Sequence, residues 1–148
     1  MEQISKNEQT ESEVLVDYKN PKLSPEKRTA DLIKRMTLEE KIAQMLCIWE
    51  DKKTIFYDEN GNFSIEKIRK HLSNGIGQIA RLSDTNGGLT PTEMVEMANT
   101  LQKFFVEETR LGIPVIFHEE CLHGLAAKEA TSYPVPIGLA STFNTKLV

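Results

Sequence analysis

The fold is decided by residues 75–117, which read GIGQIARLSDTNGGLTPTEMVEMANTLQKFFVEETRLGIPVIF. Residues 75–81 are typical of a short strand that ends in a loop, and Thr90 begins a capping box that starts a helix. This helix is predicted to end near Thr109. Its apolar side chains share one face, as in a helix that packs on a core: Met94, Met97, Ala98, Leu101 and Phe105. Residues 113–117 are continuously apolar, which indicates a strand buried on both faces of a parallel sheet. Strand, helix and strand form a βαβ unit, so the predicted fold class is α/β.

Two helices are predicted upstream of this unit. Ser24 can cap a helix that begins at Pro25 and runs to about residue 36, since proline lacks only an N–H that would be unpaired there. Thr37 and Glu40 form a second capping box, T-x-x-E. The helix that follows is predicted to face inward with four apolar side chains: Leu38, Ile42, Met45 and Leu46.

The rest of the N-terminal half is less regular. Residues 1–16 are polar and aperiodic, which predicts a flexible arm, and residues 17–148 are expected to form the ordered domain. Residues 52–62 are predicted to be a loop, followed by a short helix that Ser64 caps. Trp49 is predicted to be buried, with a role as a stacking platform for a sugar as the alternative.

Length and charge bound the possible functions. The chain has 148 residues, enough for one domain but fewer than the roughly 200 that a complete (β/α)8 barrel needs. Lys and Arg number 18 and Asp and Glu 22, so the net charge of −4 gives no reason to expect nucleic-acid binding. No apolar run approaches the ~20 residues of a membrane helix.

The N-terminal sequence and the number of cysteines both indicate a protein of a reducing compartment. The N-terminal residues contain no apolar segment of the roughly 7–15 residues that a signal peptide needs, so we expect a cytoplasmic protein unless a signal has been removed. There are only two cysteines, Cys47 and Cys121, which are expected to be free thiols.

The side chains that follow the two predicted strands are the candidate site, because ligands bind at the carboxyl ends of parallel strands. Residues 118–124 read HEECLHG, and Arg81 ends the earlier strand. A zinc protease would need histidines four residues apart, whereas His118 and His123 are five apart. Another metal site that uses one of the glutamates stays open.

Three further interpretations of this segment remain. Cys121 could be a nucleophile beside His123, although catalytic pairs usually come from distant segments and a buried structural cysteine is the simpler interpretation. Both glutamates could be solvated at the start of a loop. Alternatively, one of them binds a polyhydroxylated ligand, since a carboxylate accepts several hydrogen bonds. Adjacent residues on extended backbone point to opposite sides, so only one of Glu119 and Glu120 can face such a ligand.

Three segments resemble glycoside hydrolase family 3, the β-glucosidase and β-xylosidase family. Residues 37–45 (TLEEKIAQM) are similar to its opening signature. Residues 109–124 (TRLGIPVIFHEECLHG) and 130–143 (ATSYPVPIGLASTF) are similar to the blocks around its next strand. The three segments occur in the family's order, and the resemblance covers roughly residues 17–148.

The resemblance implies a fold and a reaction. The chain would be the N-terminal portion of a TIM-like (β/α)8 barrel, incomplete here. The full-length protein would hydrolyse terminal β-D-xylosyl or β-D-glucosyl residues of an oligosaccharide or β-glycoside with retention. The family's two catalytic carboxylates would lie after Val148, in the C-terminal part of the same protein, so no residue of this chain is assigned a catalytic role. No metal or organic cofactor is implied.

The resemblance also implies one binding residue. In the family, the acidic residue three positions before the His-Gly pair binds sugar hydroxyls, and here that position is Glu120. Some members have aspartate there, and the longer side chain of Glu120 would fill the space of a hydroxymethyl group, which favours xylosides over glucosides. His118 and Arg81 are weaker candidates at the same rim, and His123 is expected to be a buried structural histidine. The alternative function is a non-catalytic carbohydrate-binding or interaction protein that reuses the start of the barrel.

Overall fold

The computed structural model describes residues 16–146, which fall into two compact units, with the boundary between residues 36 and 37. In the first unit, helix α1 (Pro25–Arg35) begins as predicted, because Ser24 Oγ accepts a hydrogen bond from Lys27 N at 3.4 Å. A short 3-10 helix, Asp17–Lys19, is joined to α1 by a hydrogen bond from Tyr18 N to Asp31 Oδ2 at 3.0 Å. The predicted flexible arm, residues 1–16, lies outside the described residues except for its last member.

The second unit is built from short helices and three short strands. The remaining helices are α2 (Leu38–Gln44), α3 (Lys52–Phe56), α4 (Ile65–His71), α5 (Pro91–Glu107) and α6 (Pro136–Ala140). The strands are β1 (Cys47–Ile48), β2 (Gln78–Ala80) and β3 (Ile116–His118). The predicted caps at Ser64 and Thr90 are confirmed, and the expected loop over residues 52–62 is wrong in its first half, where α3 forms.

The strands form one parallel sheet in the order β1-β2-β3. The α/β class and the β2-α5-β3 unit are therefore confirmed, while a closed barrel is not seen within residues 16–146. Strand β1 was not predicted, because two residues are too few to show a periodicity. Its presence makes the predicted strands the second and third of the sheet.

Helix α5 packs its predicted apolar face into the core. Leu101 and Phe105 are fully buried, and they belong to one hydrophobic cluster with Phe56 of α3, Ile68 of α4 and Ile79 of β2. Gly112 has the left-handed conformation that suits a helix cap, with φ of 63°, but it lies in a turn four residues after the actual cap, Glu108. The core thus lies between the helices and one face of the sheet.

The opposite face of the sheet, which we call the open face, is exposed within the described residues. It carries the side chains of Cys47, Gln78, Ala80, Ile116 and His118, all of which are exposed except that of Ala80. The prediction that β3 is buried on both faces is wrong here, because Ile116 is 62% exposed while the preceding Val115 is buried. Continuous apolarity indicated that both faces need cover, but no element within residues 37–146 covers the open face.

The inward face predicted for α2 is also wrong. Its four apolar side chains are between 49% and 85% exposed, and Glu40 and Ala43 are buried instead. The capping box is present, with Glu40 Oε2 accepting from Thr37 N at 2.8 Å. The same carboxylate accepts from Arg110 Nε at 2.9 Å, so the helix turns its capping residue toward the protein. These hydrogen bonds, led by the one from Arg110, hold the pKa of the Glu40 carboxyl below its usual value despite burial.

A glycine allows the end of α2 to sit against β2. A Cβ on Gly77 would lie 2.1 Å from the Gln44 carbonyl oxygen, far inside contact distance. The close approach lets Gly77 N donate to Ala43 O at 2.9 Å and Gln78 N donate to Leu46 O at 3.1 Å. Any larger residue at position 77 would separate α2 and β1 from β2.

Among the described helices, none combines the length and apolarity needed to cross a membrane.

Candidate functional site

Three loops meet at one edge of the sheet, because the three parallel strands all end there. Residues 49–52 follow β1, residues 81–84 follow β2, and Glu119 and Glu120 follow β3. The predicted candidates Arg81, His118 and Glu120 all lie at this edge, which we call the rim.

Lys52, the first residue of α3, connects the segment after β1 with the loop after β2. Its side chain is 7% exposed, although lysine is rarely buried without partners. The ammonium group donates to Ala80 O at 3.0 Å, to Arg81 O at 2.8 Å and to Asp84 Oδ1 at 2.5 Å. It therefore fixes the backbone at the point where β2 ends and the rim begins. Sequence analysis placed Lys52 in a loop, and no local signal marks it out.

Arg81 is held in an uncommon backbone conformation at this point. Its φ of 52° and ψ of 62° lie in the left-handed region, which few residues other than glycine adopt without compensation. The compensation comes from Lys52, and from a hydrogen bond that Arg81 N donates to His118 O at 2.8 Å. The strained residue is thus anchored to α3 on one side and to β3 on the other.

The Arg81 guanidinium connects two carboxylates. Its Nη1 lies 3.3 Å from Glu120 Oε2, and its Nε lies 3.2 Å from Asp84 Oδ2. Arg81 is 26% and Glu120 41% exposed in their side chains, so the pair is half-buried and reaches solvent. The structure brings together two residues that sequence reasoning placed at the rim separately. What it adds is their direct ion pair.

Glu119 has a different environment from its neighbour. Its carboxylate accepts hydrogen bonds from Ser83 N at 3.0 Å and Ser83 Oγ at 2.7 Å. Ser83 is buried and is the second residue of the 3-10 segment Leu82–Gly87 after β2. Glu119 therefore holds this segment against β3, whereas Glu120 faces Arg81 and solvent.

His118 lies on the open face beside Cys47, which belongs to β1 at the opposite edge of the sheet. Cys47 Sγ is 3.5 Å from His118 Nε2, and both side chains are exposed in the described structure. The expectation of a buried Cys121 is wrong, because Cys121 is exposed in a loop that does not pack its side chain. His123 is half-buried, and its backbone carbonyl accepts a hydrogen bond from Tyr133 N.

Metal ligands are not gathered at the rim. Within residues 16–146, no group of three or more histidine, cysteine, aspartate or glutamate side chains is placed to hold a metal ion. Asp84 and Glu120 are instead paired with cations, and Glu119 accepts from Ser83. The rim can therefore offer a ligand the partly exposed carboxylate of Glu120 beside the guanidinium of Arg81.

Trp49 is the clearest departure from the sequence prediction at this edge. It is 44% exposed and lies directly after β1, at the rim, and is not buried. Together with Arg81, Asp84, Thr85 and other rim residues it lines an open cavity of about 370 Å³, which we call the Trp49 cavity.

Comparison with known proteins connects this geometry to a family. The profile described as "Glycosyl hydrolase family 3 N terminal domain" matches residues 37–148. A Formosa agariphila protein that is provisionally named a beta-xylosidase is 35% identical over 133 residues, covering 89% of this chain and 17% of that protein. Beta-glucosidase C of Emericella nidulans is 30% identical over 140 residues, covering 88% of this chain and 21% of the relative.

A third relative extends the similarity to another organism. The periplasmic beta-glucosidase of Salmonella typhimurium is 30% identical over 134 residues, covering 88% of this chain and 15% of the relative. The chain therefore spans about a fifth or less of the length of the curated relatives it matches.

Proposed function

Since this chain belongs to glycosyl hydrolase family 3, we propose that its full-length protein removes terminal β-D-xylosyl or β-D-glucosyl residues from the non-reducing ends of short oligosaccharides, with retention of configuration. In this proposal the chain contributes the first part of a TIM-like barrel. The names of its relatives support both sugars, one naming a xylosidase and two a glucosidase.

The observation that carries the proposal is the Arg81–Glu120 pair. An ionised carboxylate accepts hydrogen bonds from vicinal hydroxyls, and a guanidinium donates to hydroxyl oxygens, so the pair matches both roles of a sugar hydroxyl. The ion pair fixes the direction in which the carboxylate points, which reduces the entropy lost when a ligand binds. We assign Glu120 as a residue that binds the terminal sugar, with Arg81 and His118 as further contacts at the rim.

Hydrolysis with retention needs a nucleophilic carboxylate and an acid/base carboxylate about 5–5.5 Å apart. Glu119 accepts from Ser83, and Glu120 pairs with Arg81, so neither is placed as a free nucleophile or proton donor. We therefore place both catalytic carboxylates after Val148, as the family resemblance implies. The role of this chain is then to bind and orient the sugar.

The full-length protein is expected to hydrolyse p-nitrophenyl β-D-xyloside or β-D-glucoside, and the isolated chain of 148 residues is expected to be inactive. Release of nitrophenol measures the rate, and proton NMR of the first-formed sugar shows its anomeric configuration. The β anomer should appear first and then mutarotate. Initial release of the α anomer, or turnover by the isolated chain, would contradict the proposal.

A further inference from the structure

We propose that Lys52 is a positioning residue for the terminal sugar, because it holds Arg81, and through Arg81 the Glu120 carboxylate, in the arrangement that binds the ring. This inference rests on the function proposed above, since it needs Glu120 to bind the sugar. The acceptors of the Lys52 ammonium group among the described residues all lie in residues 80–84. Its effect on the sugar therefore passes through Arg81 and not through a direct contact.

The first connection between Lys52 and the sugar is the backbone at Arg81. The φ of 52° and ψ of 62° of this residue are set by the two peptide groups that flank its Cα atom. Lys52 Nζ donates to the carbonyl oxygen of each, to Ala80 O at 3.0 Å and to Arg81 O at 2.8 Å. One buried ammonium group thus fixes both torsions of a residue whose conformation is costly for any side chain with a Cβ.

The second connection is the Asp84 carboxylate, whose two oxygens serve different cations. Oδ1 accepts from Lys52 Nζ at 2.5 Å, and Oδ2 lies 3.2 Å from Arg81 Nε. Arg81 Nε is buried and has no hydrogen-bond partner among the described residues, so Asp84 attracts the guanidinium by charge alone. Because Lys52 shares this charge, Arg81 Nη1 stays available to Glu120 Oε2 at 3.3 Å.

Loss of Lys52 acts on the sugar position in two ways. The peptide groups on both sides of Arg81 lose their common donor, so the strained backbone can relax. Asp84 also keeps its whole charge for Arg81 and competes with Glu120 for the guanidinium. Glu120 then loses the partner that fixes its direction, and a sugar must order this carboxylate when it binds, which costs affinity.

Inhibition of the full-length protein by xylose or glucose tests this role. Lys52→Met should raise the inhibition constant about tenfold, as is usual for residues that modulate a site without touching the ligand. Asp84→Asn keeps the shape of the side chain and removes its charge, so it should raise the constant severalfold. It decides the question if Lys52→Met does not fold. Lys103→Met makes the same change at a side chain of α5 that is 72% exposed, and it should leave the constant unchanged.

The same substitutions in a Glu120→Ala background separate positioning from a purely structural role. If Lys52 acts through Glu120, its loss should raise the inhibition constant far less once Glu120 is absent. Hydrogen exchange of residues 78–84 should instead increase equally in both backgrounds. The hydrogen bonds from Lys52 to the Ala80 and Arg81 carbonyls do not involve Glu120, so their loss has the same local effect in either.

The outcomes separate this inference from the proposed function. If the wild-type protein binds the sugar and Lys52→Met binds it equally well, the positioning role is wrong and the proposed function stands. An equal fold increase of the inhibition constant in the wild-type and Glu120→Ala backgrounds would also overturn it, since Lys52 would then act independently of Glu120. If the wild-type protein binds neither xylose nor glucose and hydrolyses neither nitrophenyl glycoside, both proposals fail.

Discussion

Replacing Glu120 with alanine in the full-length protein is expected to lower kcat/KM for p-nitrophenyl β-D-xyloside or β-D-glucoside by about 10- to 150-fold. A hydrogen bond to a charged group is worth about 1.5–3 kcal/mol, and each 1.36 kcal/mol changes a rate tenfold. Loss of Glu120 also removes the ion-pair partner of Arg81, which then turns toward Asp84 alone. Steady-state kinetics measures the loss, and competitive inhibition by xylose or glucose measures the loss of sugar affinity.

Two further variants show whether the carboxylate itself binds the sugar. Glu120→Gln keeps the shape and one acceptor oxygen, so its loss should be smaller than that of Glu120→Ala. Glu107→Ala is a matched control, since Glu107 is a glutamate on the outer surface of α5 with 60% of its side chain exposed. Unchanged inhibition by both sugars in Glu120→Ala would mean that Glu120 is merely a solvated loop residue.

Lys52→Met is expected to cause the largest loss of stability. The free energy needed to open the end of β2 should fall by about 2–4 kcal/mol. The substitution leaves the Ala80 and Arg81 carbonyls and the Asp84 carboxylate without their shared donor. Removing one partner of a buried ion pair costs about 3–5 kcal/mol, and the 35% exposure of Asp84 reduces that figure because water replaces part of the interaction. Hydrogen exchange of peptides that cover residues 78–84 measures the opening free energy directly.

Lys53→Met makes the same chemical change at the next position, where the side chain is exposed. It should leave exchange in residues 78–84 at the wild-type rate. In a double-mutant cycle, Asp84→Asn should cost less in the Lys52→Met background than in the wild type, because the two groups share one interaction. Equal protection of these peptides in Lys52→Met and wild type would show that the buried ammonium does not hold the rim.

Local sequence patterns predicted the parts of the fold whose causes are local. The capping boxes at Thr37 and Thr90 and the apolar face of α5 each depend on residues within a few positions of one another, and the structure contains all of them. The position of Glu120 at the rim also followed, because it comes directly after a predicted parallel strand. These features need no knowledge of what packs against them.

The features that were missed depend on residues far apart in the chain. Lys52 reaches acceptors about 30 positions away, and nothing in its neighbourhood distinguishes it from a surface lysine. The direction of α2 is set by the pairing of Glu40 with Arg110, which are 70 positions apart. Trp49 appeared to belong to a buried apolar run, but β1 ends before it and leaves it at the rim.

The most direct test of the central claim is a crystal structure of the full-length protein soaked with xylose or glucose. The sugar should lie at the carboxyl ends of the three strands, with at least one hydroxyl about 2.5–3.0 Å from a Glu120 carboxylate oxygen. Arg81 should keep its contact with Glu120 or donate to the same sugar. A sugar bound in the active site with no hydroxyl within hydrogen-bond reach of Glu120 would contradict the account.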